Sequence, residues 1–113
     1  MERPARTTMI VTATEIRFKS PWAYLVFLAH TMAVKRQMAA APGLLRFELR
    51  WNRTLTAWGS EAHMRAFRNG GAHLEAMKAT GRIGAAKSAT WEADAFPTWA
   101  EAVRRLDAVA FRP

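Results

Sequence analysis

Strict alternation of apolar and polar positions marks the first element. From Met9 to Phe18 the side chains divide into Ile10, Thr12, Thr14, Ile16 and Phe18 on one face and Val11, Ala13, Glu15 and Arg17 on the other, the period of a strand. Ser20-Pro21 supplies an N-cap and a first-turn proline, so a helix opens there and runs to about Ala41, where Pro42-Gly43 stops it. Its first half, WAYLVFLA, is apolar almost all the way round. A helix at a protein surface keeps a wet stripe, so this one predicts a cover, either the C-terminal segment or a partner chain. Leu45, Phe47, Leu49 and Trp51 then alternate with Arg46, Glu48, Arg50 and Asn52 as a half-buried strand. Asn52-Arg53 reads as a tight turn into a third strand, Thr54–Trp58. Ser60 caps a second helix beginning at Glu61, with an apolar face of Met64, Phe67, Leu74 and Met77 and a kink at Gly70-Gly71. Gly81 and Gly84 mark a loop, Ser88–Ala95 a fourth strand, and Thr98 the cap of a closing helix, WAEAVRRLDAVA.

The order is βαββαβ followed by a helix. It predicts the α+β class, a ferredoxin-like split βαβ with a four-stranded antiparallel sheet and two helices on one face. No linker, repeat or low-complexity segment divides the chain, so residues 1–113 form one domain with its core at about 9–106. With Leu45, Phe47, Leu49 and Trp51 under the helices, the helix-free face is expected to carry Glu15, Arg17, Arg46, Glu48, Arg50, Glu92 and Trp58. A solvated face with cross-strand ion pairs accounts for the charges. The tryptophan favours two sheets meeting there around a cavity lined by charges and one indole.

Composition narrows the chemistry. Half of the 113 residues are hydrophobic and 23% are charged, the profile of a folded globular chain. The absence of cysteine excludes disulfides, thiolate metal sites and thiol nucleophiles, and fits a reducing, cytoplasmic setting. The opening MERPARTTMIV lacks the apolar core of a secretory signal, and the longest apolar stretch, Pro21–Ala29, is too short to span a membrane. The net charge is +8, but the 13 arginines are scattered and no nucleic-acid motif accompanies them, so neither nucleic acid nor membrane is expected as a partner. No histidine pair has metal-ligand spacing, no carboxylate completes a facial triad, and no phosphate-cradling loop is present, so no metal site is expected.

The segment LTAWGSEAHMRAFRNGGAHLEAM resembles the antibiotic-biosynthesis-monooxygenase-like proteins, which are dimeric α/β barrels, and in particular the small bacterial branch near spheroidene monooxygenase. The matching features are the strand-ending Trp58, the capped turn Ser60-Glu61, the Met64 and Phe67 pair, and Gly71-Ala72-His73 before Ala76-Met77. VKRQMAAAPGLLRFEL and FPTWAEAVRRL extend the likeness. The resemblance implies a homodimer with one small-molecule pocket per subunit between sheet and helices. It further implies a monooxygenase-like enzyme that uses no cofactor and acts on a small aromatic or enolic molecule. In that reading His73 takes the proton, Arg46 steadies the anion, and Trp58, Arg50, Glu48 and Arg17 contact the substrate. The wider superfamily also contains haem-binding enzymes and proteins without known activity. Two alternatives follow: a haem-binding oxygenase or dehydratase-like enzyme with His73 on the iron, and a non-catalytic dimeric ligand-binding protein. The residues themselves leave plainer roles open: Trp58 at a dimer seam, His73 as a structural histidine at a helix kink, and the arginines paired with Glu15, Glu48 or Glu92. His30 reads as a hydrogen-bonded structural histidine and His63 as exposed.

Overall fold

A computed structural model describes residues 8–111, without the side chains of Ala72, Leu74 and Thr80. The apolar role of Leu74 and the leader reading of residues 1–7 therefore lie outside the described residues. The elements are β1 (Met9–Phe18), α1 (Pro21–Ala39), β2 (Leu44–Arg50), β3 (Arg53–Trp58), α2 (Glu61–Arg68), α3 (Gly71–Ile83), β4 (Gly84–Ala93) and α4 (Trp99–Asp107). The strands lie in the order β2-β3-β1-β4 with every neighbouring pair antiparallel, which is the α+β ferredoxin-like arrangement. The three expected caps are in place. Ser20, Ser60 and Thr98 each accept a hydrogen bond from the backbone N–H three residues on, at 3.1, 3.2 and 3.2 Å.

Two glycine positions differ from expectation, for one steric reason. The segment from Glu61 is not a kinked helix but two, because Gly71 takes φ +56° and ends α2 from α3. No loop separates α3 from β4, which begins at Gly84 instead of Ser88. A Cβ at Gly84 would sit 1.7 Å from the Arg17 carbonyl oxygen, so this glycine marks a close approach of two backbones and not a turn. Gly81 lies inside α3.

Pairing across the β2–β3 hairpin sets the faces of the sheet. Arg50 stands opposite Arg53, so the turn is Trp51-Asn52, one residue earlier than expected, with Trp51 at φ +56°. Residues directly opposite share a face. Leu49 and Phe47 therefore share theirs with Thr54 and Thr56, and Leu44 faces Trp58 across a bulge that leaves Leu45 exposed. Trp58 thus lies on the face that α1 and α2 cover, away from Arg46, Glu48 and Arg50, and the expected grouping of these four is corrected. Glu92, opposite Ile10, also lies on the Trp58 face, whereas Trp91 pairs with Val11 on the other.

Helices cover both faces. On one, Met38, Met64 and Phe67 pack with Trp58, and Phe27 and Ala23 pack with Ile16 and Ile83. On the face expected to be helix-free, α4 buries Ala102 and Leu106 against Val11, Ala13, Leu55 and Ala57. Leu106 alone contributes about 2 kcal/mol by leaving water. The C-terminal helix therefore covers the sheet and not α1, whose apolar outer stripe remains exposed. Among the described residues no helix is long and apolar enough to cross a membrane.

Candidate functional site

Beneath α1 and α3 the sheet presents hydroxyls where a close-packed core would present branched aliphatics. Thr12 stands opposite Thr56 on one side and Thr90 on the other, and Thr14 opposite Thr54 and Ser88. Two rows of three hydroxyls thus cross β3, β1 and β4. The Thr12 and Thr90 hydroxyls lie 3.0 Å apart, and Thr56 donates to the Thr12 carbonyl at 3.4 Å. Such a face gains little from apolar contact with a helix, and the helices stand off it. The resulting cavity has a volume of about 560 Å³, a size suited to a small organic molecule. Its opposite wall is apolar, with Phe27, Val34, Met38, Phe67 and Met77. Its ionisable lining groups are His30, Arg68, His73 and Lys87, so every formal charge that the described lining can carry is positive.

His73 enters the wall from the start of α3, and its placement depends on Gln37 of α1. The Gln37 amide donates to the carbonyls of Phe67 and Gly70, both at 3.0 Å, and accepts from the His73 backbone N–H at 2.8 Å. One side chain thereby bonds the end of α2 and the start of α3, where helix-terminal groups lack partners of their own. Gly71 is required at this junction for its positive φ and because a Cβ would lie 3.2 Å from Gln37. The His73 ring contacts Phe67 at a centroid distance of 5.0 Å, and Phe67 in turn contacts Trp58 at 5.0 Å. Sequence-predicted Trp58 and His73 are thus brought into one cavity, linked by Phe67. Trp58 is among the lining residues but only 1% exposed, so it is packed into the wall.

His73 Nδ1 lies 3.3 Å from the Arg68 carbonyl oxygen. A carbonyl only accepts, so Nδ1 carries the proton and Nε2 keeps its lone pair. Burial holds the imidazole pKa below its usual value. The bond to the Arg68 carbonyl opposes this in part, and the Arg68 guanidinium adds to the lowering. The ring is therefore neutral at pH 7, the form that can accept a proton or bind a metal.

The remaining predicted site residues lie elsewhere. Arg46 pairs with Glu48 at 2.5 Å and lies over Phe96 at 4.4 Å. Arg50 lies over Trp99 at 5.5 Å, and the Trp99 indole donates to Glu48 at 2.9 Å. Arg17 lies over Phe111 at 4.2 Å. All four charges belong to the α4 side of the sheet or its margin, and none lines the cavity. The two-residue hairpin turn fixes this separation, because it joins odd positions of β2 to even positions of β3. The cation that does line the cavity beside His73, Arg68, was not singled out from the sequence, nor was Gln37. The threonines at helix-facing positions of β1 and β3 were the available signal. His30 lines the cavity, whereas His63 is exposed and bonded to its own cap, Ser60, at 3.0 Å. Among the described residues no three histidine or carboxylate side chains gather as a metal site.

No family model and no curated protein matches the sequence. Solved structures do match in fold. One is an antibiotic biosynthesis monooxygenase, with TM-score 0.59 and 14% identity over 79% of this chain and 99% of that one. A cofactor-independent oxygenase from Streptomyces nogalater matches with TM-score 0.55 and 16% identity, over 77% of this chain and 92% of its own. A conserved protein of unknown function from Bacteroides thetaiotaomicron gives TM-score 0.61 at 8% identity, covering 79% and 100%. The fold is thus that of the monooxygenase-like proteins; at these identities the likeness carries the architecture alone.

Proposed function

We propose that the cavity binds a small, flat, partly apolar molecule with an ionisable phenol or enol, and that the protein oxidises it with dioxygen without a cofactor. The observation that carries this reading is a neutral histidine, its Nδ1 held by a carbonyl, in a cavity whose described lining carries only cationic formal charges. His73 accepts the proton from the substrate, and Arg68 attracts the enolate that forms. The hydroxyl rows hold the polar edge, and Phe67, Val34 and Met77 contact the apolar face. The carbanion transfers its electrons to dioxygen, one oxygen atom enters the substrate, and the other leaves as water with the two displaced hydrogens. Arg46, Arg50, Glu48 and Arg17 have no part in this scheme, since they line another region.

Dioxygen uptake measured against a panel of electron-rich phenols and enols tests the reading. The wild type is expected to consume oxygen with at least one of them, and His73→Gln to lose at least ~100-fold of that rate while still binding the compound. Binding of panel compounds in the cavity without any uptake would leave a non-catalytic ligand-binding protein. A haem-binding alternative rests on the same imidazole, whose Nδ1 is anchored to a carbonyl as in many axial histidines. Bound there, haem would supply iron-based oxygen chemistry with His73 as ligand. A Soret shift on haem addition that disappears in His73→Gln distinguishes it from the cofactor-free scheme.

A further inference from the structure

His30 of α1 is the second imidazole in the cavity wall, and the proton transfer at His73 does not involve it. The hydrogen-bonded structural role expected of it is not realised: among the described residues neither of its ring nitrogens has a partner. Nor is either nitrogen shut in, since every buried side-chain nitrogen or oxygen of the described residues is bonded. A half-buried neutral imidazole in this position offers a ligand one donor and one acceptor.

Packing fixes where along the cavity this ring stands. α1 runs back over β1, with Phe27 against Ile16 and Met38 against Trp58, which pairs with Ile10. Along the helix axis His30 lies about 4.5 Å beyond Phe27, and along the strand Thr14 lies about 7 Å beyond Ile16. His30 is therefore level with the hydroxyl row Thr54, Thr14 and Ser88. Gln37, which accepts from the His73 N–H, follows on the same stripe of α1, two turns or about 10 Å further on. One imidazole thus serves each end of the cavity. The His30 end is also the wetter and more cationic. β4 is an edge strand, and Ser88 is exposed. Lys87 beside it lines the cavity without a carboxylate partner among the described residues. Glu15, directly opposite, is held by Arg53 at 2.7 Å, and Lys87 Nζ lies over the Phe111 ring at 4.7 Å.

We propose that His30 binds a carboxylate at the far end of the substrate, about 10 Å from the hydroxyl that His73 deprotonates, and so selects phenols or enols that are also acids. The inference rests on the reading of the cavity as a phenol or enol site. The carboxylate accepts from the protonated His30 nitrogen and from the hydroxyls of Thr14 and Ser88, and Lys87 supplies the counter-charge. The open β4 edge lets the group keep part of its hydration, which lowers the cost of bringing a charge under the helices. No aspartate or glutamate among the described lining residues opposes it.

Calorimetry under argon with two probes tests this. One is a hydroxynaphthoate with its hydroxyl and carboxylate at opposite ends of the ring pair, and the other is the naphthol that lacks the carboxylate. The wild type is expected to bind the acid at least ~10-fold more tightly than the naphthol. His30→Leu should erase that preference while leaving the naphthol affinity and the far-UV circular dichroism unchanged. His30→Gln keeps a donor and should retain part of the preference, and His73→Gln should leave the ratio of the two affinities intact. Equal affinities in the wild type overturn the inference, as does a preference that survives His30→Leu. A preference lost in His73→Gln but kept in His30→Leu also overturns it, by seating the acid the other way round. A wild type that binds neither probe removes the inference together with the cavity reading. A preference that depends on His30 in a protein that takes up no dioxygen supports the inference and removes only the oxidation.

Discussion

Replacing Gln37 with alanine removes the side chain that joins three elements around His73. Three hydrogen bonds disappear: two to the carbonyls of Phe67 and Gly70 and one from the His73 N–H. Each contributes about 0.5–1.5 kcal/mol net, and because the site is half-buried, water can re-enter to satisfy some of the freed groups. The expected loss is about 2–3 kcal/mol, or roughly 10 °C in melting temperature for a domain of this size. Urea denaturation followed by tryptophan fluorescence measures it, as a lower midpoint with an unchanged slope. Gln37→Glu separates positioning from bulk. The carboxylate can still accept from the His73 N–H, but it meets two carbonyl oxygens that now lack a donor. It also introduces a negative charge beside the imidazole, so an NMR titration should show the His73 pKa moved upward. A Gln37→Ala protein within 0.5 kcal/mol of the wild type, with unaltered His73 resonances, would refute the reasoning.

Further outcomes follow from the same contacts. Gly84→Ala should abolish soluble folded protein, because the new methyl would overlap the Arg17 carbonyl at a backbone that cannot yield; a normal melting curve would contradict this. Thr14→Leu should put an apolar side chain into the cavity floor, raise stability by about 0.5–2 kcal/mol, and weaken ligand binding, as read by calorimetry. For His73, burial lowers the folded pKa below the unfolded value near 6.5, so the unfolded chain takes up the proton first. The stability this group confers is complete above about pH 6.5 and declines as pH falls towards the folded pKa. His73→Gln should flatten that part of the stability profile, whereas an unchanged slope would show that His73 does not titrate there.

Much of the architecture was legible because β1, β2 and the three caps announce themselves locally. Alternation fixed Met9–Phe18 to the residue, and Ser20, Ser60 and Thr98 cap as expected. What failed were inferences across elements. Which face Trp58 occupies depends on hairpin pairing and not on the pattern within β3, and a two-residue turn of either choice places it with Phe47 and Leu49. Gly84 resembles a loop glycine until the Arg17 backbone is set beside it. Of the candidate site, Trp58 and His73 were singled out at the strand end and the glycine pair, Trp58 on the wrong face of the sheet. Arg68 and Gln37 were not, since an arginine at a helix end and a glutamine mid-helix carry no local mark. The threonines of β1 and β3 were in plain view. Hydroxyls in a row under a helix signal space, a meaning that appears only once the register places Thr12 beside Thr56 and Thr90.

The claim on which the functional reading rests is that ligand enters between the hydroxyl rows and the helices. Titrating isotope-labelled protein with a soluble hydroxy-aromatic compound and following amide and methyl shifts tests it directly. The account predicts saturable changes at Thr12, Thr56, Phe67 and His73, with Arg46, Arg50 and Trp99 unmoved. Changes confined to the α4 side of the sheet, or none at any of the cavity residues across the panel, would contradict it.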